Sequence, residues 1–261
     1  MNPFMIFLFC SLLVSFIMLV VFFIQWKTKD ASIVDVAWSA NLAILVLIYA
    51  FFLDGYALRQ NVLFALVCIW YIRLSLHLLF DRVMGKEEDG RYQSIRKEYK
   101  GNVQFFFLGF FQLQALADAL LSISFLIVAI NPKPFLDVFD GIAIVLWALS
   151  FTGGAISDYQ LSKFRSNPLN RGKTCRVGLW QYSRHPNYFF EWLQWLVYPL
   201  LAVGSPYWYL TLLAPAMMLY FIVFVTGIPT SETQALRSRG GDYRDYQNTT
   251  SPFIPWFPKN R

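Results

Sequence analysis

The chain has 261 residues, of which 57% are hydrophobic and only 15% are charged, and its formal net charge is +6. A soluble globular domain has about a quarter of its residues charged, so this composition excludes an ordinary soluble protein. The three cysteines, Cys10, Cys68 and Cys175, are far apart in sequence, and the chain has two histidines. Neither a disulfide framework nor a metal site is therefore predicted.

Seven apolar segments follow one another along the chain, and ~20 mostly apolar residues in a helix are enough to cross the hydrocarbon core. Segment 4–24 has no basic leader and no small-residue cleavage site, so we expect a retained helix and not a signal peptide. The sixth segment is short and contains Pro199, which favours a kink or a tilt. The predicted spans are residues 4–24, 33–53, 62–80, 105–130, 142–161, 188–203 and 207–228.

This pattern predicts an all-α fold: a polytopic membrane bundle of seven transmembrane helices in one domain, 1–261, with a tail at 229–261. Nearly all of the 22 Lys and Arg residues lie after the first, third, fifth and seventh spans. Because basic loops stay in the cytoplasm, we expect the N-terminus outside and the C-terminus inside, in a bacterial inner membrane. Anionic lipid headgroups also account for the net charge, so the predicted partner is the bilayer and no nucleic acid is expected.

Ionisable residues inside the predicted spans are costly there and are usually placed for function or for pairing. They are Asp35, Arg73, His77, Asp118 and Asp158. Arg73 and His77 are four residues apart and share a helix face. Asp35 and Arg73 are expected to form a bridge inside the bundle, and Asp118 is expected to make a buried polar contact.

The densest polar group begins at the end of the fifth span and runs into the sixth. A basic, glycine- and proline-containing loop before a helix start offers guanidinium groups, amide donors and a helix N-terminus, which together bind phosphate. No glycine-rich dinucleotide fingerprint of the soluble type is present, so a nucleotide site here is built differently. The members of the group are Asp158, Tyr159, Gln160, Arg165, Arg171, Lys173, Arg176, Tyr182, Ser183, Arg184, His185, Asn187, Tyr188 and Glu191.

Residues 178–188, Gly-Leu-Trp-Gln-Tyr-Ser-Arg-His-Pro-Asn-Tyr, together with Glu191, resemble the signature of the steroid 5-alpha reductase C-terminal-domain superfamily, most closely its bacterial membrane-protein branch. The resemblance covers nearly the whole chain, with further matching blocks at 32–39, 70–78 and 227–232. It implies a seven-helix reductase that holds NADPH from the cytoplasmic side. The implied reaction is hydride transfer to a carbon–carbon double bond of a small lipid-like substrate: a steroid, an isoprenoid or a fatty acyl chain.

The same resemblance implies roles for individual residues. Asp158, Arg165, Asn187 and Glu191 fall where relatives contact the nucleotide, and the further cofactor-binding candidates are Arg171, Tyr182, Arg184, His185 and Tyr246. Steroid-active members hold the steroid ketone with a Gln-Glu pair on the second helix and a Tyr on the third. This chain has no such pair, and Trp70 stands where that Tyr falls, so a 3-oxo-steroid is not the expected substrate. The candidates for the proton-handling catalytic group are Asp35, Tyr71 and His77.

A second enzyme class shares part of the pattern. Residues 184–188, Glu232 with Leu236, and Tyr243 with Tyr246 are similar to the motifs of isoprenylcysteine carboxyl methyltransferases, which use S-adenosylmethionine. The basic residues of 163–176 favour a phosphorylated cofactor, so the reductase is preferred. A scaffold or a transporter is the third alternative, although the repeat symmetry common in transporters is not evident in this sequence.

Overall fold

A computed structural model describes residues 2–259, and helices are the only regular secondary structure in that part of the chain. The all-α prediction is confirmed for these residues. The helices are α1 Pro3–Thr28, α2 Ile33–Phe52, α3 Ala57–Leu78, α4 Gly90–Glu98, α5 Val103–Ala129, α6 Val138–Ser166, α7 Pro186–Trp195, α8 Val197–Leu201, α9 Leu213–Tyr220, α10 Ile228–Arg239 and α11 Gly241–Thr249. Shorter turns of 3-10 helix occur at Pro168–Asn170, Gly178–Gln181 and Trp208–Leu212, and π turns at Leu79–Val83 and Phe221–Val225.

Six helical segments are long and apolar enough to cross a membrane, which confirms a multi-pass membrane protein by length and composition. Two of them include the adjoining turns, so that α3 extends to Val83 and the last segment runs from Trp208 through α9 and α10. They are Pro3–Thr28, Ile33–Phe52, Ala57–Val83, Val103–Ala129, Val138–Ser166 and Trp208–Arg239. They correspond to the first five predicted spans and to the seventh.

The predicted sixth span, 188–203, is divided between α7 and α8, and neither helix is long enough to qualify. Pro199 has no N–H to donate to the carbonyl of Trp195 four residues earlier, and its ring disfavours a helical path there. α7 accordingly ends at Trp195, with Leu196 as its cap. The count of seven spans and the orientation stay predictions.

Contacts divide the chain into two compact units. Unit one contains the residues up to Asp140 together with Tyr198–Ala214, and unit two contains Gly141–Val197 together with the residues from Pro215 onward. That the whole chain forms one domain stays a prediction.

The core of unit one is built by α1, α2, α3 and α5, with α1 and α3 each packed against both α2 and α5. Some polar side chains within this core form hydrogen bonds between helices. The amide of Asn41 donates to Asp118 at 2.9 Å, and the hydroxyls of Tyr49 and Ser122 lie 2.9 Å apart. The buried contact expected for Asp118 is therefore confirmed.

A buried ion pair fastens the start of α3 to the start of α6. Arg59 donates through Nε and Nη2 to the two carboxylate oxygens of Asp140, both at 3.0 Å, and the two side chains are 1% and 3% exposed. The guanidinium group also donates to the carbonyl oxygens of Lys133 and Phe135, at 2.8 and 2.6 Å. All three guanidinium nitrogens of Arg59 thus donate hydrogen bonds to this loop or to Asp140, and we expect the ion pair to stabilise the fold.

We expect Asp140→Ala to lower the free energy of unfolding by about 3–5 kcal/mol, because it leaves the buried Arg59 guanidinium without its carboxylate. The measurement is denaturant unfolding of the purified protein in detergent. Lys133→Met is the matched control, since it removes a partly exposed ion pair with Asp137 and a contact with the Phe135 ring in the same loop and should cost less than about 1 kcal/mol. Similar losses in the two variants would contradict the special role of the buried pair.

Candidate functional site

The loop between α6 and α7 is tied back onto the last turns of α6 in unit two. The side-chain oxygen of Gln160 accepts from the backbone N–H of Leu179 at 2.9 Å, and the indole N–H of Trp180 donates to the carbonyl of Ser157 at 2.9 Å. Gly178 has a φ of +58°, and a Cβ there would overlap the Gln160 side chain. The path of the loop therefore requires a glycine at position 178, because a larger residue would be strained there.

Two of the predicted nucleotide-binding residues touch. The amide nitrogen of Asn187, at the start of α7, donates to a carboxylate oxygen of Asp158 on α6 at 3.3 Å. Arg165 follows Asp158 by two helical turns, and Glu191 follows Asn187 by one, so each continues the stripe on its own helix. The four residues form two stripes that meet at the Asp158–Asn187 contact.

Exposed cations extend from the end of α6 into the following loop. Arg165 and Arg171 are exposed, as are Lys163 and Lys173 on either side of them. The backbone of Gly172 has a φ of +76°, with open space around the position of a Cβ. Exposed guanidinium and ammonium groups bind anions such as phosphate, and Arg171 and Lys173 supply one of each in this loop.

Two further cofactor candidates are engaged inside the protein. Arg184 donates through Nε to Glu232 at 2.7 Å, and its Nη1 donates to the carbonyls of Gln247 and Thr250 at 2.7 and 2.9 Å. The ring of Tyr246 is buried. Its hydroxyl is within hydrogen-bonding distance of the carbonyl of Trp180 and of the carbonyl of Ser183, 3.0 Å away.

His185 and Tyr182 flank these residues. The imidazole of His185 is buried and stacks on the Tyr188 ring with centroids 5.3 Å apart, and its Nε2 lies 3.4 Å from an oxygen of Glu232. Burial lowers the pKa of His185 below its ordinary value, although the Glu232 carboxylate acts in the opposite direction. Tyr182 is half-buried, with its carbonyl accepting from Trp256 at 2.9 Å.

Glu232 on α10 ends one of the blocks that resemble the reductases, but it is not among the predicted cofactor-binding residues. Its two carboxylate oxygens meet Arg184, His185 and Gln247, the last at 2.7 Å. The sequence did carry a signal: a single carboxylate in the first polar turn after a long apolar run. The methyltransferase pattern drew attention to that position, but the partners of Glu232 are distant in sequence and no spacing rule connects them.

The catalytic candidate Asp35 lies in a charged cluster in unit one. It accepts from Arg91 Nη2 at 2.6 Å and from the Tyr92 hydroxyl at 2.8 Å, and Arg82 Nη1 lies 3.5 Å away. Arg91 also binds Asp89 through Nε at 3.0 Å. These contacts anchor α4 to the first turn of α2, and the bridge to Arg73 expected from sequence is replaced by pairing with Arg91 and Arg82.

The titration of the neighbours of Asp35 reflects the same cluster. Burial raises the pKa of Asp89, but the Arg91 and Arg82 guanidinium groups outweigh it and hold that pKa below its usual value. The pKa of Tyr92 lies well above its ordinary value because of burial and the adjacent Asp35 carboxylate. Asp89 is thus an anion at neutral pH and Tyr92 a neutral donor, which suits a structural clamp.

The other two catalytic candidates lie on α3. Tyr71 is fully buried and its ring meets the edge of the Trp38 ring, with centroids 6.2 Å apart. His77 is half-buried in the last turn of α3. On the same helix, the guanidinium group of Arg73 lies over the Trp70 ring, 5.6 Å from its centroid.

We expect Tyr246→Phe to lower the free energy of unfolding by about 1–3 kcal/mol, because it leaves buried carbonyl groups of the α6–α7 loop without their donor. Denaturant unfolding in detergent is the measurement. Tyr209→Phe removes an exposed hydroxyl and should change the stability by less than about 0.5 kcal/mol. An unchanged stability of Tyr246→Phe would contradict the structural role and would favour a hydroxyl directed at a ligand.

Comparison with known proteins gives one match. No curated protein and no solved structure matches this chain. The model of one protein family, described as protein of unknown function (DUF1295), matches residues 21–250. That range includes the Asp35 cluster, the α6–α7 loop, α10 and α11. The chain therefore belongs to the DUF1295 family.

Proposed function

We propose that the protein is an NADPH-dependent membrane reductase that saturates a carbon–carbon double bond in a lipid-like substrate. The observation that carries the proposal is the 3.3 Å contact between Asn187 and Asp158. It joins two stretches that are nearly thirty residues apart in sequence, and both resemble nucleotide-contacting blocks of the steroid 5-alpha reductase superfamily. Arg165 and Glu191 continue the two stripes, so the four residues implied by the resemblance belong to one surface of unit two.

The donor set of this surface fits a dinucleotide phosphate. Arg165, Arg171 and Lys173 are exposed cations that lie between Asp158 and Asn187 in the sequence. A guanidinium group can bind two phosphate oxygens at once. The carboxylates of Asp158 and Glu191 and the amide of Asn187 suit ribose hydroxyl and carboxamide groups. Arg184 and Tyr246, whose polar groups are engaged within the protein, would support the loop from behind.

NADPH, when bound, supplies the hydride for the double bond. The residues of this chain have the remaining tasks: they hold the nucleotide, polarise a carbonyl conjugated with the double bond and deliver a proton. Among the catalytic candidates, Asp35 is engaged by Arg91 and Tyr92 and Tyr71 is fully buried. His77 is half-buried in the last turn of α3. Asp35, Tyr71 and His77 stay the candidates for the proton-handling group.

A methyltransferase is the second candidate, and one observation favours it. Glu232 binds Arg184 and lies beside His185, and the Tyr246 hydroxyl meets the same loop. All three blocks of the methyltransferase pattern thus occur in one network. The preference for the reductase comes from the exposed cations of 163–173, since S-adenosylmethionine has no phosphate to bind them.

We further propose seven membrane crossings, with the N-terminus outside and the C-terminus in the cytoplasm of a bacterial inner membrane. The basic residues support this arrangement, because the 162–187 loop and the tail after residue 229 are both rich in Lys and Arg. Because the segment that contains 207–228 is long and apolar enough to cross, the two basic segments lie on one side only if 188–203 crosses as well. The cofactor surface would then face the cytoplasm.

We expect NADPH to stabilise the purified protein in detergent by about 2.7 kcal/mol at a hundredfold excess over its Kd, because it binds the native state alone. NADH should stabilise it less. Asn187→Ala and Glu191→Ala should abolish the stabilisation, whereas Gln181→Ala, an exposed position in the same loop, should retain it. The measurement is the melting temperature with and without ligand. Stabilisation by S-adenosylmethionine and not by NADPH would favour the methyltransferase.

The topology can be tested with reporter fusions at Arg176 and after Trp256. With seven crossings, a reporter that is active only in the cytoplasm should be active at both positions, and a periplasmic reporter should be silent at both. Opposite results at the two positions would mean that 188–203 does not cross. A fusion at Gly204 should give the reverse pattern and serves as the control.

A further inference from the structure

Glu232 and His185 form a pair whose geometry determines which ring nitrogen of the histidine carries a proton. Oε1 of Glu232 accepts from Arg184 Nε at 2.7 Å and lies 3.4 Å from His185 Nε2, while Oε2 accepts from Gln247 at 2.7 Å. The side chains of Glu232 and His185 are 15% and 7% exposed. The carboxylate is thus an acceptor for every group around it.

A carboxylate that already accepts from a guanidinium group has only lone pairs to offer to a third partner. The hydrogen bond to His185 therefore requires the proton on Nε2. In a neutral imidazole the other nitrogen, Nδ1, then carries a lone pair. Within residues 2–259, the ring's hydrogen bond to protein runs through Nε2, and Nδ1 has no protein partner.

Burial keeps the ring of His185 neutral, and the charged groups around it act in both directions. Arg184 precedes His185 in the chain and Arg239 approaches from the end of α10, and both disfavour a second proton on the ring. Glu232 favours that proton, but burial outweighs it and leaves the pKa of His185 below its ordinary value. The stacked ring of Tyr188 covers one face, and its hydroxyl is held 2.8 Å from Ser231 Oγ. At neutral pH the imidazole is therefore uncharged.

We propose that Glu232 is a positioning residue that fixes His185 as a neutral imidazole protonated on Nε2, so that Nδ1 accepts a hydrogen bond from a hydroxyl or N–H group of the bound ligand. The identity of that ligand rests on the proposed function: the ribose hydroxyls of a nucleotide are donors of this kind. His185 then differs in kind from the exposed cations of 163–173, which bind anions. The neutral His185 ring would recognise a hydrogen-bond donor on the ligand and not a charge.

The chain has only two histidines, so nuclear magnetic resonance of ¹⁵N-histidine-labelled protein can test this directly. In a His77→Gln background, every imidazole signal belongs to His185. We expect the ligand-free protein at pH 7 to show a protonated Nε2 and an unprotonated Nδ1, with a titration midpoint below the ordinary value near 6.5. A proton on Nδ1, or a cationic ring at pH 7, would overturn the proposal.

Variants at Glu232 separate positioning from simple packing. Glu232→Gln keeps an oxygen that accepts from Arg184 and from Nε2, so the tautomer should persist while loss of the negative charge moves the titration midpoint further down. Glu232→Leu removes the acceptor and should give a mixture of tautomers. Thr233→Ala, an exposed neighbour on α10, should leave both unchanged. If Glu232→Leu does not fold, Glu232→Gln decides, and an unmoved midpoint there would overturn the positioning role.

A matched pair at His185 tests the ligand contact. The amide oxygen of asparagine can occupy the Nδ1 position, whereas glutamine reaches toward Glu232 and leaves that position empty. We expect His185→Gln to raise the Kd for NADPH by roughly tenfold and His185→Asn to raise it less. Equal Kd values for wild type and His185→Gln would refute the acceptor role. If wild type binds no NADPH at all, the proposed function fails, while the tautomer of the ligand-free protein still decides the role of Glu232.

Discussion

The ion pair between Arg184 and Glu232 is the interaction on which the functional part of unit two depends. It connects the α6–α7 loop to α10, and the remaining guanidinium donors bind carbonyls of α11 and of the chain just after it. Both side chains are largely buried. Removing one partner from such a pair leaves the other as an uncompensated buried charge, which is costly. The positions of the α6–α7 loop, α10 and the end of α11 therefore depend on one another.

The same constraint shapes unit one, where charges at the helix ends are matched in pairs. Asp35 holds Arg91 at one end of α2, and Arg59 holds Asp140 near the start of α3. A bilayer gives buried polar groups no water to bind, so each must find a partner within the protein. The helices supply apolar surface, while these pairs determine which helix ends and loops meet.

The sequence predicted well those features that depend on local pattern and length. Apolar runs of about twenty residues identify spanning helices because the bilayer thickness sets the required length, and six of the seven segments qualify in the structure. The sixth does not, since Pro199 removes the hydrogen bond that would continue α7 past Trp195. Pro199 predicted a kink or a tilt in this segment, but the sequence does not determine the residue at which α7 ends.

Tertiary partners were harder to predict. The meeting of Asp158 with Asn187 was implied by the resemblance, whereas no spacing rule indicated that Asp35 would bind Arg91 and not Arg73. Nor does a sequence reveal whether an arginine turns inward or outward. Arg184 and Arg171 occur in the same basic stretch, yet one is engaged by carbonyls and a carboxylate and the other is exposed. That direction depends on whether a carboxylate from a distant helix is within reach.

The division between inward and outward cations bears on the cofactor. Arg184 forms an ion pair with Glu232. It therefore contributes to stability in either enzyme class and does not discriminate between them. Arg171 and Lys173 are exposed, and cations on a surface contribute little to stability. Both lie in the loop that follows α6, the helix that carries Asp158. A phosphate-bearing ligand would bind these charges, whereas S-adenosylmethionine has no phosphate, and this difference is the reason that the proposed cofactor is a dinucleotide.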